Sequence, residues 1–265
     1  MVPVLSTRVF VRPPTRHDLE LCRRLRFLDL ELWHAPFAHR DGSALEELQD
    51  GLRAFGLTVP CVHLDVRGPE GELDPESDDL WLRRESLDWL VSGLDAAARL
   101  GAQTGVVHLK LRDARLAAPL FEAATERGVV LAVETDTFPG TSPERLLAGL
   151  MRMGEAGRLH GLCIDLSRTS LGLSTARALG RRLRWVEVSQ RHDGQPHGPP
   201  ETTDHRLRDT LSQLSLGRVA YEVVPVGPES VPPGDAQLTL LLRRVAAFHL
   251  GAGFGTSQGT SPLPG

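Results

Sequence analysis

Long apolar runs are missing from this chain of 265 residues. No stretch approaches the roughly 18 apolar residues that a spanning helix needs, so no passage through a bilayer is expected. The opening MVPVLSTRVFVR has no long apolar segment behind a basic start, which argues against a secretory signal. Cysteine is scarce: Cys22, Cys61 and Cys163 are odd in number, far apart and unlike the spacing of any metal finger. Neither a disulfide framework nor a zinc finger is expected, and a reduced cytoplasm is the simplest setting. Positive charge is not in excess either. The 30 basic and 34 acidic residues leave −4 with histidine neutral, so nothing attracts nucleic acid or an anionic membrane in bulk. Lysine is nearly absent; Lys110 stands alone among the 30 basic residues.

What is present is the material of a folded core. Hydrophobic residues at 41% and charged residues at 24% exclude a disordered or collagen-like chain. Short apolar runs alternate with amphipathic stretches every roughly 25 to 35 residues, the pattern of repeated βα units on a parallel sheet. Strands are expected at Val2–Phe10, Phe27–Leu32, Val59–Leu64, Gly105–Lys110, Val129–Glu134, Gly161–Leu166, Arg184–Ser189 and Arg218–Val223. Helices are expected at His17–Arg26, Ala44–Phe55, Arg84–Leu100, Leu116–Arg127, Pro143–Met153, Thr175–Gly180, His205–Leu214 and Ala236–Leu250. Ser142-Pro143 reads as an N-cap followed by proline at the first helical position, and Gly101 and Gly128 as helix ends just before strands. This alternation fits a closed (β/α)8 TIM barrel, a single domain over residues 1–250 with a flexible tail at 251–265. An open doubly wound sheet is the alternative, but no G-x-G-x-x-G follows the first strand to favour it.

A buried parallel strand reads as a nearly continuous apolar run, so ionisable groups at the C-terminal ends of strands need a reason. In a barrel that end is the functional face. The exceptions are Glu31, His63 with Asp65, His108 with Lys110, Glu134 with Asp136, Asp165, Glu187 and Glu222. Period two puts His108 and Lys110 on one strand face. Glu134, Asp165, Glu187 and Glu222 follow one another at 31, 22 and 35 residues, about one βα unit each, which brings them to one cluster. Four half-buried anions repel one another and lose hydration, a cost of several kcal/mol without compensation. A divalent cation compensates, and oxygen-rich ligation favours a hard ion. Pairing of each carboxylate with an arginine is the plainer alternative.

The ordered series V-H-L-D near Val62, V-V-H-L-K near Val106, L-A-V-E-T near Leu131, G-L-C-I-D-L-S near Gly161, W-V-E-V-S near Trp185 and Y-E-V near Tyr221 resembles the xylose-isomerase-like TIM-barrel superfamily. That group includes sugar phosphate isomerases and epimerases, hydroxypyruvate isomerase, inosose dehydratase and endonuclease IV. The resemblance runs over approximately residues 20–250. It implies a divalent ion (Mn, Mg, Co or Zn) held by acidic residues on strands five, six and eight and by a further ligand on strand seven. Glu134, Asp165 and Glu222 stand at the acidic places, and Glu187 stands where histidine is commonest. The family's D-x-x-H after strand six reads Asp165-Leu166-Ser167-Arg168 here. Arg168 cannot act as a base near neutrality but can hold a phosphate or carboxylate in a bidentate pair. His63 and His108 match the histidines that family members place around the substrate.

The chemistry implied is metal-assisted isomerisation or epimerisation of a small sugar or hydroxy-carbonyl compound. A proton leaves the carbon next to a carbonyl, an enediolate forms, and reprotonation follows at the neighbouring carbon or the opposite face. Glu134 and Glu222 would be the proton-transfer pair, which requires a free oxygen and a raised pKa. His63, His108, Lys110 and Arg168 would bind substrate. Three other readings stay open: a Schiff-base enzyme using Lys110, an endonuclease IV-like repair enzyme, and a barrel without catalysis. Salt bridging to a strand-end carboxylate is the plainer role for Lys110. The loop His192–Pro200 could cover the site, Trp33 and Trp185 could wall it or simply pack, and the acidic loop Glu70–Asp79 reads as a solvated face.

Overall fold

A computed structural model describes residues 1–37, 42–64, 66–68, 71–135, 138, 142–166, 173–192, 195–214, 217–224 and 233–251. Eight strands close into a barrel: β1 (Val2–Ser6), β2 (Asp29–Trp33), β3 (Thr58–Leu64), β4 (Thr104–Val107), β5 (Val130–Glu134), β6 (Gly161–Asp165), β7 (Leu183–Val188) and β8 (Arg218–Tyr221). Each strand pairs in parallel with its neighbours, and β1 closes the ring by pairing with both β2 and β8. Helices lie between the strands as the periodicity implies. The Ser142 hydroxyl accepts from the Arg145 amide ahead of Pro143, and Gly101 and Gly128 sit at φ +73° and +68°, the left-handed region that closes a helix.

The pleat sorts the strand residues into two shells. Leu5, Leu30, Val62, Val107, Leu131, Ile164, Val186 and Val219 belong to one continuous core shared with the helices. Their alternates, Val4, Cys61, Val106, Ala132, Cys163, Trp185 and Ala220, form a separate cluster inside the barrel. Two residues further along the same strands, the interior becomes polar, and that layer positions the site.

Several strand ends depart from the sequence expectation, and β8 stops at Tyr221, two residues before Val223. β1 stops at Ser6 instead of running to Phe10, because Thr7–Phe10 winds into a 3-10 turn that ends at Val11 with φ +61°. The turn buries Val9 and Phe10 and carries Arg8 to the barrel mouth. β2 spans Asp29–Trp33 in place of Phe27–Leu32. β4 stops at Val107 instead of Lys110, since the chain swings through Leu111 at φ +48°. Period two therefore ends before Lys110, and the shared face with His108 does not form.

The acidic loop is not the solvated face it was expected to be. Glu76 is buried, and its carboxylate accepts from the amides of Lys110, Leu111 and Asp113 at 3.0, 2.8 and 3.2 Å. Burial pushes that carboxyl up in spite of these donors. Glu76 thus staples the loop after β3 to the exit of β4. Asp79 caps the helix Leu80–Leu100 by accepting from the amides of Trp81 and Leu82, which starts that helix four residues before the expected Arg84. The expected tail beyond Gly251 lies outside the described residues.

Candidate functional site

The polar layer follows from register. Stepping two residues on from the inner apolar cluster gives Ser6, His63, His108, Glu134, Asp165, Glu187 and Glu222, and β2 adds Glu31 beside Ser6. All are buried except His108, whose side chain is 15% exposed at the mouth. Five of these eight side chains are carboxylates held out of water, an arrangement that is costly unless positive partners compensate.

The compensation is shared among three groups, each containing a histidine. In the first, Glu222 is held from both sides: Arg8 Nη1 donates to its Oε1 at 2.5 Å, and His197 Nδ1 lies 3.2 Å from its Oε2. Asp165 completes that group with His197 and Glu222. In the second, His108 Nε2 is 2.5 Å from Glu134 Oε2 and 3.1 Å from His63 Nε2. In the third, His63 turns its other nitrogen, Nδ1, toward Glu187 Oε1 at 3.2 Å and Glu31 Oε1 at 3.9 Å. Trp185 Nε1 donates to Glu31 Oε2 at 2.6 Å and so fixes that carboxylate from below.

These neighbours set the protonation of the cup. Burial alone would raise Glu134, but the His108 imidazole beside it brings the carboxyl down to about 2. Glu222 is likewise opposed by burial, yet Arg8 and His197 hold it well below the usual carboxylate range. Glu187 goes the other way: burial first, then the charge of Glu31, push it well above that range. Burial pulls His63 down, but Glu187 and Glu31 around it reverse the sign and leave it well above an ordinary histidine. The requirement of a raised pKa at Glu134 and Glu222 is thus not met by the side chains alone; the raised carboxyl is Glu187.

The four carboxylates expected to converge are all inward and buried, but they divide. Asp165 and Glu222 share one group, Glu134 sits in the second and Glu187 in the third. Glu222 has an arginine, so the plainer alternative of guanidinium pairing holds there. His63 and His108 meet Glu134 as neighbours. Among the described residues Lys110 bridges to no strand-end carboxylate: its Nζ lies 3.8 Å from Asp74 and 4.7 Å over the Phe138 ring. Trp185 packs in the inner apolar cluster, and Trp33 lies under the Arg8 guanidinium. Arg168, Asp65 and Asp136 lie outside the described residues.

Two participants escaped the sequence reading. Arg8 was hidden inside an over-long first strand. His197 was visible only as part of a covering loop; it stands on the second arm of a hairpin (Gln190–His192 with Gln195–Gly198) at φ +62°. The hairpin folds back after β7 and buries that ring between Ser189 and Glu222. A histidine thus reaches Asp165 and Glu222 from a position ten residues after Glu187.

No family model matches the sequence, and no curated protein does. Solved structures match over nearly its whole length. A D-psicose 3-epimerase from Clostridium cellulolyticum H10, crystallised with D-tagatose, is 12% identical, covers 96% of this chain and 99% of its own, and superposes with a TM-score of 0.73. L-ribulose 3-epimerase is 16% identical over 96% of this chain and 95% of its own, at a TM-score of 0.74. The IOLI protein with a bound zinc atom is 14% identical over 97% of this chain and all of its own, at 0.71. These neighbours are sugar epimerases and related xylose-isomerase-like barrels, and this chain has their fold.

Proposed function

We propose that the protein is a divalent-metal-dependent isomerase or epimerase of a small sugar or hydroxy-carbonyl compound. The observation that carries this reading is the cup of buried carboxylates at the C-terminal mouth of the barrel, with Asp165, His197 and Glu222 offering one ligand atom each within 4.8 Å of one another. Two carboxylate oxygens and one imidazole nitrogen, all buried, suit a divalent ion of the Mn, Co or Zn kind better than calcium or a thiolate-type zinc site. Such an ion, when bound, polarises a carbonyl and stabilises the negative charge that develops on its oxygen.

The rest falls to the chain's own residues. Glu134, held ionised by His108 at 2.5 Å, would take the proton from the carbon next to the carbonyl and carry it on its own carboxyl until it is returned. Glu222 would face the substrate from the other side as the second carboxylate of the pair, held ionised by Arg8 and His197 and so serving as the base for the reverse direction. His108, at the mouth and steadied by His63, would supply a hydrogen-bond donor to a substrate hydroxyl, with Arg168 the candidate for an anionic group. A strongly acidic cup repels a phosphodiester backbone, which disfavours a DNA substrate. Lys110, occupied by Asp74 and Phe138, is poorly placed for a Schiff base.

The test is exchange chemistry. The protein loaded with Mn2+ or Co2+ in D2O should incorporate deuterium next to the carbonyl of a ketose such as D-fructose or D-tagatose, read by NMR. Glu134→Gln should lower that exchange by about 10²-fold or more, the usual worth of a positioned base. Unchanged exchange in the variant, or none with any ketose or hydroxy-carbonyl compound, would falsify the reading.

A further inference from the structure

The three histidine groups are not equally satisfied. In the group of His63, His108 and Glu134, His108 Nε2 lies 2.5 Å from Glu134 Oε2 and 3.1 Å from His63 Nε2, so the carboxylate oxygen facing the imidazoles has a partner. In the group around Glu222, Arg8 and His197 engage both carboxylate oxygens. The third group differs. Glu31 and Glu187 are each 0% exposed, and among the described residues Glu31 Oε1 and both oxygens of Glu187 have no hydrogen-bond partner. His63 Nδ1 is near two of these oxygens, at 3.2 and 3.9 Å, without the alignment of a hydrogen bond to either.

One imidazole nitrogen carries at most one proton, and here it faces oxygens of two buried carboxylates. The arrangement is also held in place. Trp185 pins the far oxygen of Glu31 at 2.6 Å, and the three side chains rise from three separate strands, β2, β3 and β7. Ligand atoms around a tetrahedral zinc stand about 3.4 Å apart, given metal–ligand distances of roughly 2.1 Å. The 3.2 and 3.9 Å separations from His63 Nδ1 bracket that value.

We propose that Glu31, His63 and Glu187 hold a second divalent cation, of the zinc or manganese kind that accepts imidazole together with carboxylate, inside the barrel between β2 and β3 on one side and β7 across from them. Glu187 in this assignment leaves the Asp165–His197–Glu222 site and serves another ion, and His197 fills the place it vacates. The ion would engage His63 Nδ1 and leave Nε2, which carries the ring's proton, 3.1 Å from His108 Nε2, so the second ion also fixes the ring beside His108. Cys61, in register with Glu31, contributes no thiolate of its own accord: burial first, then Glu31 and Glu187, push its thiol well up.

Counting metal decides this. Chelator-stripped protein is loaded with Co2+, freed of excess by gel filtration and assayed for cobalt per chain and for the visible ligand-field spectrum. Wild type should retain two equivalents, and Glu187→Gln and Glu31→Gln one each, with the far-UV circular dichroism of wild type. Asp165→Asn should also retain one, with the complementary spectrum. If one glutamine variant fails to fold, the other decides. The proposal is overturned if the folded glutamine variants retain the wild-type count, or if wild type binds no cobalt or one equivalent that only Asp165→Asn removes. A single equivalent lost in Glu187→Gln but kept in Asp165→Asn upholds this site and instead sinks the active-site ion, so the two readings fail separately.

Discussion

Two layers of one barrel, built by the same strands and two residues apart, have opposite chemistry. The inner layer holds Val4, Cys61, Val106, Ala132, Cys163, Trp185 and Ala220 and is apolar. The mouth layer carries Glu31, His63, His108, Glu134, Asp165, Glu187 and Glu222. Burial is nearly the same in both, so exposure does not distinguish them. What differs is partners: the mouth layer has imidazoles, a guanidinium and an indole N–H, and the inner layer has none to offer a charge. The inner layer acts as a floor that keeps water out from beneath the carboxylates and strengthens every electrostatic interaction above it.

The sharpest way to break the comparison is to place a charge one layer too deep. Cys163→Asp puts a carboxylate at a fully buried position facing Trp185 across the β6–β7 ladder. An unpaired ion there should cost about 4 kcal/mol or more, close to the whole stability of many domains. A urea unfolding midpoint near that of wild type would show that the floor is wetter and more adaptable than its packing implies.

Trp185 joins the two layers, its ring in the floor and its Nε1–H on Glu31 Oε2. Trp185→Phe keeps most of the packing and removes the donor, so it should cost about 2 to 3 kcal/mol, the range for a hydrogen bond to a buried charge. Adding Glu31→Gln should restore part of that loss, because the stranded carboxylate is what makes the single change costly. Strict additivity in the double-mutant cycle would mean that the indole contributes only volume.

The floor and the outer shell were legible in the sequence because burial on both faces of a parallel strand leaves a continuous apolar run. The interruptions of those runs marked the mouth for the same reason. Glu134, Asp165, Glu187 and Glu222 could be placed inside from period two alone. How they divide could not, because the division depends on which imidazole reaches which oxygen. His197 arrives from a hairpin whose fold-back no strand periodicity encodes. Arg8 was concealed because a run such as Val2–Phe10 reads as strand throughout, while the chain in fact tightens into a 3-10 turn after Ser6. Glu76 was misjudged on composition: an acidic loop looks solvated until three backbone amides from another loop converge on one member of it.

Histidine gives the finest test of how much surroundings matter. His63, among carboxylates, is pushed up, whereas His160, in the outer shell against Phe121, is pulled down to about 4, chiefly by burial. His160 Nδ1 accepts from the Leu131 amide at 2.8 Å, a bond that requires that nitrogen to be unprotonated. The unfolded chain takes up a proton at this residue below about pH 6.5 that the folded protein refuses until about pH 4. The unfolded state therefore binds more protons in that window, and stability falls as pH falls through it, by up to about 1.4 kcal/mol per pH unit from this one group. His160→Gln, whose amide oxygen can still accept from Leu131, should flatten the pH dependence of the urea midpoint between pH 6.5 and 4 while changing stability at pH 7.5 much less. An unchanged slope in that variant would assign the acid sensitivity to other groups, His249, which burial also brings down to about 4, and the cup among them.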